Sequence, residues 1–267
     1  MSFKHITSRD NPIFKYLKKL ADSARERKTE GKSLLDGVHL IESYCNSFAN
    51  TSHAEPELII VPEGKSSLEA TQLMQQLEHI STIMLPTLMF AELTPVASST
   101  GILAIVKIPQ LEIFSNQFVL MLEDIQDPGN LGSMLRTAAA AGVDCVYLSK
   151  SCTDAFSPKA LRGGQGAQFV LPVIENVDLI AQLASFNGQS YATSMQGESL
   201  YTQDLTTPTA FVMGNEGAGL RPQTTAAATK CVMIPMAENS LAGVESLNAA
   251  AATAICLFER VRQIAQY

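Results

Sequence analysis

FVLMLEDIQDPGNLGSMLRTAAA, residues 118–140, encodes a strand, a turn and a helix in immediate succession. The apolar run at 118–122 is short and unbroken, which is typical of a strand that is buried on both faces. The Pro-Gly pair at 128–129 forms a turn, and proline suits the first turn of the helix that continues through Arg136 to Ala141. We therefore predict a β-α unit at this point of the chain.

The rest of the second half repeats this unit. Strands are predicted at 145–148, 169–173, 190–193, 210–213 and 232–235. Helices are predicted near 158–165 and 179–186, and a long final helix from about residue 247. Regular alternation of strands and helices implies a mainly parallel sheet with helices on both faces. The predicted fold class of this half is therefore α/β.

The first half opens with a different helical pattern. From residue 11 to 28, apolar side chains recur at helical spacing among basic ones, which predicts an amphipathic basic helix. Strands are predicted at 33–35, 58–61, 80–85 and 102–108, and helices around 38–48 and 66–78. This is the pattern of a small α/β domain. Because the pattern lapses between 109 and 116, we predict two domains, residues 1–110 and 115–267.

Composition limits the class of protein. Of the 267 residues, 46% are hydrophobic and 17% are charged, which is usual for a globular protein. The amino terminus is polar and no apolar run reaches the length of a membrane span, so we expect cytoplasmic residence without a membrane partner. The five cysteines are odd in number and form no Cys-x-x-Cys pair, so we expect buried, reduced thiols and no metal site.

The charge is unevenly distributed along the chain. The formal net charge of −7 is unfavourable for an RNA partner, because phosphates attract cations. Residues 1–40, however, hold nine Lys or Arg and five Asp or Glu, a balance of +4 that leaves −11 for the rest. Both a phosphate-binding helix and an ordinary solvated face fit such a cluster. The cations of the first helix that we consider for RNA binding are Lys15, Lys18, Lys19, Arg25 and Arg27.

Three polar segments follow predicted strands of the second half, at the edge where an open parallel sheet binds its ligands. The first is QDPGNLG at 126–132 with Arg136 further on, the second is GNEGAGL at 214–220, and the third is IPM at 234–236 with ESLN at 245–248. Each has a plain structural explanation, as a turn, a flexible loop or a helix cap. Three such coincidences in one domain are improbable, so the segments together indicate a ligand site.

Together these segments resemble the three signature motifs of the SpoU/TrmH family of RNA ribose 2′-O-methyltransferases. Asn130, Gly132, Arg136 and Thr137 match the family's Asn-x-Gly-x-x-x-Arg-Thr pattern. The other segments match its Gly-Asn-Glu-Gly-x-Gly-Leu and its Ile-Pro-Met followed by Ser-Leu-Asn, and the resemblance extends over residues of about 115–262. The front of the chain is similar to the substrate-binding domain that is often fused in this family, through ITSRDNP at 6–12, LDG at 35–37 and GILA at 101–104.

The resemblance implies a fold, a cofactor and a substrate. It implies a knotted parallel-sheet methyltransferase domain of the SPOUT type, with a deep trefoil knot, preceded by a small α/β RNA-binding domain and assembled as a homodimer. It implies S-adenosylmethionine as cofactor, and ribosomal RNA as substrate because the front domain is similar to those of ribosomal members. A transfer RNA methyltransferase and a non-catalytic RNA-binding protein on the same fold are the alternatives. Carried over by position, the cofactor residues are Gly214, Ile234, Met236 and Leu247.

Methyl transfer requires a group that accepts or redirects the proton of the ribose hydroxyl, which is a poor nucleophile while protonated. All four histidines lie at or before position 79, so histidine does not serve in this domain. Family precedent favours Arg136, but a guanidinium is effectively always protonated. We expect Arg136 to hold the ribose or a phosphate while Glu216 or phosphate accepts the proton, or else to be fixed in place by Asn130 and Glu216. The catalytic candidates are Arg136, Asn130, Glu216, Ser246 and Asn248.

One loop and one arginine are not explained by the three motifs. Nine residues, 237–245, separate Met236 from Ser246, about four more than we expect for the family, so this loop is unusual. Arg162, near the end of a predicted helix, is either a phosphate contact or an ordinary exposed helix end.

Overall fold

The computed structural model describes residues 3–48, 55–64, 66–94, 99–237 and 246–265. Residues 238–245 of the unusually long loop lie outside the described residues. The chain forms two compact units, one of Met1–Gln110 with Phe156–Phe169 and one of Leu111–Ala155 with Val170–Tyr267. A stretch of the second half of the sequence therefore packs with the first unit.

Helices and strands follow one another through the described residues, mostly in alternation. Up to residue 110 they are β1 (Lys4–His5), α1 (Pro12–Asp22), α2 (Ala24–Glu30), β2 (Lys32–Asp36), α3 (Val38–Ser47), β3 (Leu58–Pro62), α4 (Leu68–Gln76), β4 (Thr82–Leu85), α5 (Thr87–Ala91) and β5 (Leu103–Lys107). Beyond it they are β6 (Phe118–Leu122), α6 (Pro128–Ala140), β7 (Cys145–Ser149), α7 (Pro158–Gly164), β8 (Val173–Val177), α8 (Leu179–Ser185), β9 (Gln189–Ser199), β10 (Thr209–Met213), α9 (Pro222–Ala227), β11 (Lys230–Met233) and α10 (Ala249–Ile264).

The first unit is built on a five-stranded mixed sheet in the order β1-β4-β3-β5-β2. Strands β1, β4 and β3 run parallel, and β5 runs antiparallel to both β3 and β2. The apolar face of α1 packs into the core of this unit through Phe14, Leu17 and Leu20. The basic helix predicted at 11–28 is instead two helices, because Ser23 is extended and its side chain caps α2 by accepting from the Glu26 amide.

The second unit contains a six-stranded sheet in the order β11-β9-β10-β6-β7-β8, in which every neighbouring pair is parallel. The predicted α/β fold with a parallel sheet is therefore confirmed. The central strands β6 and β10 are buried along their whole length, and α10 packs on α6. Because β9, β10 and β6 are adjacent and parallel, the segments that follow them meet at one edge of the sheet.

The strand predicted at 169–173 is wrong. Residues Ala167–Phe169 form a short 3-10 helix, and the strand of this region is β8. A short apolar run indicates that its residues are buried, but it does not determine whether their backbone forms a strand or a helix. Phe169 is buried because its ring packs edge-on against Tyr44 of the first unit, with 5.2 Å between the ring centroids.

Of the α-helices and strands in the described residues, β1, α5 and α9 were not predicted, because they are too short to show a period. Among the described residues, none of the helices combines the length and the apolar character that a bilayer span requires.

Candidate functional site

The segment after β6 is set by the start of α6. Asp127 caps this helix, since its Oδ1 accepts from the Asn130 amide at 2.8 Å, and Pro128 occupies the first helical position. Asn130 therefore lies in the first turn, beside the carboxyl end of its strand. Its side-chain nitrogen Nδ2 donates to Glu216 Oε1 at 3.1 Å.

The segment after β10 is a closed loop. Asn215 and Gly219 exchange two backbone hydrogen bonds, of 3.1 and 2.9 Å. The Asn215 side chain accepts from the Gly217 and Ala218 amides, and its Nδ2 donates to the Asp124 carbonyl at 2.9 Å. Gly214 has no room for a side chain, because a Cβ there would lie 2.3 Å from the Gly219 carbonyl carbon. The loop thus holds Glu216 at its tip in a fixed backbone conformation.

The third segment ends at the start of α10. Asn248 is the N-cap of this helix, and its Oδ1 accepts from the Ala250 amide at 2.9 Å. Its Nδ2 donates to Asn130 Oδ1 at 3.3 Å. Asn130 therefore receives from Asn248 and donates to Glu216, and a single side chain links all three sequence segments.

A cavity of about 680 Å³ opens beside these residues. All four predicted cofactor residues line it, as do Glu216 and Ser246. Its size falls within the range of about 300–1,000 Å³ that is usual for small-molecule sites, and its lining mixes apolar side chains with backbone polar groups. The cavity residues that the sequence predicted are Gly214, Ile234, Met236 and Leu247.

One wall of the cavity was missed by the sequence analysis. Strand β9 pairs with β11 up to Ala192, which lies opposite Cys231, and again from Glu198, which lies opposite Val232. Residues 193–197 of β9 therefore form a bulge between the two paired stretches. Residues 193–196 line the cavity. Ser194 and Gln196 are polar and come directly after the strand predicted at 190–193, which is the signal that identified the other three segments.

Arg136 lies apart from the linked residues. Its side chain is exposed on α6 and takes part in none of the hydrogen bonds or ion pairs found among the described residues. Arg136 forms no ion pair with Glu216 among the described residues, so the pairing that we considered from the sequence is not present; Asn130 donates to that carboxylate.

The cations considered for RNA binding differ in their surroundings. Lys15, Lys18 and Lys19 form exposed ion pairs with Asp10, Asp22 and Glu26, with N–O separations of 2.8, 2.9 and 3.8 Å, and Arg25 is exposed. Arg27 is only 3% exposed and donates to the Leu20 and Ala21 carbonyls, so it closes the end of α1 rather than facing solvent.

Arg162 belongs to the first unit and approaches a buried carboxylate there. Its guanidinium lies 3.3 Å from Asp36 Oδ2, and the other oxygen of Asp36 accepts from Ser99 at 2.8 Å. Burial raises the pKa of the Asp36 carboxyl, and these two contacts oppose that rise.

The five cysteines form no disulfide. Cys145 and Cys256 are buried as predicted, whereas Cys45, Cys152 and Cys231 are partly exposed. Burial raises the pKa of Cys256 to about 12, so this thiol stays protonated and unreactive.

Comparison with known proteins identifies close relatives of this arrangement. Residues 117–258 match the family model of the SpoU rRNA Methylase family. The 23S rRNA (guanosine(2553)-2'-O)-methyltransferase RlmP of Bacillus subtilis is 31% identical over 260 residues, which cover 96% of this chain and 98% of that protein.

Solved structures agree with this similarity. A crystal structure of an RNA 2'-O ribose methyltransferase matches with a TM-score of 0.81 at 27% identity, over 97% of this chain and 98% of its own. The SpoU methyltransferase AviRb from Streptomyces viridochromogenes, crystallised with AdoMet, matches with a TM-score of 0.75 at 25% identity, over 95% of this chain and 98% of its own.

Proposed function

The chain belongs to the SpoU rRNA methylase family, and from this premise we propose that it transfers a methyl group from S-adenosylmethionine to a ribose 2′-hydroxyl of ribosomal RNA. The observation that carries the proposal is the link of all three sequence segments through Asn130, beside a cavity large enough for the cofactor. RlmP, which aligns over almost the whole chain, favours ribosomal over transfer RNA. Such a substrate fits the cytoplasmic residence expected from the sequence.

The cavity fits S-adenosylmethionine in size and in chemistry. Ile234, Met236 and Leu247 would supply apolar contact for the adenosine and the methionine chain, and the backbone groups at Gly214 would bind their polar atoms. When bound, the cofactor supplies an electrophilic methyl group on a sulfonium. The residues of this chain then have to place the ribose oxygen in line with that group.

The linked polar residues supply the groups that this step needs. Glu216 Oε1 is held by Asn130, whereas Oε2 has no hydrogen bond among the described residues and is available to accept the hydroxyl proton. Asn130 holds that carboxylate in place, and Asn248 in turn holds the Asn130 side chain. Ser246 lines the cavity, where its hydroxyl can bond to the ribose.

Arg136 has a different proposed role. Because it is exposed and has no ion pair among the described residues, its five donors are free for an incoming phosphate or ribose. We assign it to holding the RNA and to stabilising the alkoxide that develops during transfer.

The first unit is proposed to bind RNA through Lys15, Lys18, Lys19 and Arg25, which we call the basic set. The ion pairs of the three lysines are exposed, and such pairs contribute little free energy, so a phosphate can replace the carboxylate partner. Lys18 also donates to the Glu92 carbonyl at 3.0 Å. Arg27 is left out of this set because it is buried. Arg162 stays a secondary candidate, with its side chain 36% exposed beside Asp36.

Two features of the second unit are proposed from the family resemblance. One is the deep trefoil knot. The other is a homodimer formed through α10, whose sequence carries the apolar stripe Ala254, Leu257, Phe258 and Val261. Leu257 is buried within the chain, so Phe258, which is 46% exposed, would carry the contact with a second copy.

Binding and transfer measurements on the full chain test the proposed function. Calorimetry should detect specific binding of S-adenosylmethionine, and a labelled methyl group should pass from it to ribosomal RNA. Label on transfer RNA alone would support the alternative substrate. Cofactor binding without any transfer would support a non-catalytic RNA-binding protein, and absence of both would refute the proposal.

A further inference from the structure

A buried carboxylate lies next to the proposed site and takes no part in the chemistry assigned above. Glu123 is the first residue after β6 and is 0% exposed. Its Oε1 accepts from Arg221 Nε at 2.9 Å, from an Arg221 terminal nitrogen at 2.7 Å and from Thr224 Oγ1 at 2.5 Å. Its Oε2 accepts from the Arg221 amide at 2.7 Å. All four donors thus belong to the residues that immediately follow the loop at 214–220.

Glu123 also holds the beginning of that loop. Its backbone amide donates to the carbonyl of Met213, the last residue of β10, at 2.9 Å. The loop therefore starts at a hydrogen bond to the Glu123 backbone and ends at a hydrogen bond to the Glu123 carboxylate. Resting on the proposed function, we propose that Glu123 is a positioning residue, which sets the conformation of the loop that carries Glu216 and walls the cofactor cavity.

The free-energy cost of burying the Glu123 carboxylate indicates that this residue positions the loop rather than stabilises the fold. The Glu123 side chain is fully buried, whereas the Arg221 side chain is 56% exposed. Removing a carboxylate from water is expensive, and an ion pair that offsets this cost is often no more stable than apolar residues of the same volume. The pair fixes the orientation of the carboxylate, because two guanidinium nitrogens of Arg221, the Arg221 amide and the Thr224 hydroxyl all donate to it. The hydrogen bonds to Glu123 in turn raise the pKa of Arg221, so its positive charge is secure.

Glutamine at this position would break the arrangement without changing its size. A carboxylate only accepts, whereas glutamine presents one accepting oxygen and an NH2 group that faces donors. At least one of the four donors would then lose its partner inside the protein. The end of the loop at Arg221 would shift, and Glu216 would move relative to Asn130.

Such a shift matters because transfer depends on position. A displacement of about 1 Å in a reacting group can cost about 10²-fold in rate. Groups that orient the ligands of metal sites typically contribute about 10- to 100-fold, and we take the same range for a residue that orients a loop. We expect Glu123→Gln to lower both cofactor affinity and turnover by about that factor.

The matched control is another carboxylate of the same unit. Glu259 is 7% exposed and accepts from Arg262 at 2.7 and 2.8 Å, but it lies on α10 beyond the residues that line the cavity. Glu259→Gln removes a comparable ion pair and should leave cofactor affinity and turnover at the parent values.

The experiment measures hydrogen exchange in the cofactor-free full chain, together with cofactor affinity and turnover. In Glu123→Gln, amides of 214–220 should exchange at least about tenfold faster than in the parent, with β10 and α10 unchanged, because a charge-assisted bond is lost. The control should show no change in the loop. Parent-like exchange and affinity in Glu123→Gln would overturn the inference, even if its melting temperature fell.

If Glu123→Gln does not fold, Arg221→Lys tests the same link, since lysine keeps the charge but loses the fork. It should loosen the loop in the same way, and a parent-like loop would overturn the inference. The exchange measurement needs no methyl transfer. An inactive parent would therefore refute the proposed function and leave this inference to be judged on loop exchange alone.

Discussion

Alanine at Gly214 would test whether the loop after β10 forms the cofactor cavity. A Cβ at this position would lie 2.3 Å from the Gly219 carbonyl carbon, 2.4 Å from the Leu220 amide nitrogen and 2.6 Å from the Gly219 oxygen. All three are backbone atoms, so none of them can rotate away. Relief requires the two ends of the loop to separate.

The size of the effect follows from these distances. Carbon atoms pack at about 3.5–4.0 Å, so the Gly219 and Leu220 backbone has to move by roughly 1 Å. Overpacking of this kind costs about 1–3 kcal/mol. Because Gly214, Gly219 and Leu220 all line the cavity, we expect the displacement to weaken binding of S-adenosylmethionine by about 5- to 150-fold.

Gly217→Ala is the matched control in the same loop. Gly217 also lines the cavity, but a Cβ there would meet only Asn215 Oδ1, at an ordinary contact distance of 3.6 Å, so the loop backbone need not move. Titration calorimetry on the full chain should show weakened binding for Gly214→Ala and parent-like binding for Gly217→Ala. Parent-like affinity in Gly214→Ala would refute the assignment of this loop to the cofactor, and equal losses in both variants would refute the steric argument.

Arg136→Lys should lose about 10²-fold or more in turnover at unchanged cofactor affinity, because lysine keeps the charge but not the planar fork. A joint fall of melting temperature, cofactor binding and activity would instead indicate a structural arginine. Alanine at all four positions of the basic set should weaken RNA binding and reduce the slope of log K against log salt by up to about 3 to 4, at about 0.7 to 0.9 for each phosphate contact. An unchanged slope would indicate that these side chains only face solvent and do not contact phosphates. Light scattering should show a dimer for the parent and a monomer for Phe258→Glu, which places a charge in an apolar contact; a monomeric parent at assay concentration would count against the dimer.

The fold of the second unit was predictable because its strands are short apolar runs separated by helical patterns. The central strands β6 and β10 are buried along their whole length, so their sequences show no polar interruption. The same signal failed at 169–173, where Phe169 is buried against Tyr44 by ring packing and not by a sheet. Hydrophobicity fixes which residues are inside, whereas backbone conformation depends on partners that are distant in the sequence.

The site was predictable where a residue type is required by local geometry. Asn130 and Asn248 lie at helix starts, and Gly214 lies where the backbone leaves no room for a side chain. The contact between Asn130 and Glu216 joins residues 86 positions apart, and no local pattern reports it. The sequence does not predict the role of Glu123 for the same reason, because its four donors lie about a hundred positions further along the chain.

The most direct test of the central claim is the chemical position of the transferred methyl group. The full chain is incubated with S-adenosylmethionine labelled in its methyl group and with ribosomal RNA that lacks the modification, and the RNA is then hydrolysed in alkali. Because alkaline cleavage needs a free 2′-hydroxyl, ribose methylation predicts label in an alkali-resistant dinucleotide. Label recovered only in mononucleotides, as a methylated base would give, or no transfer at all, would contradict the account.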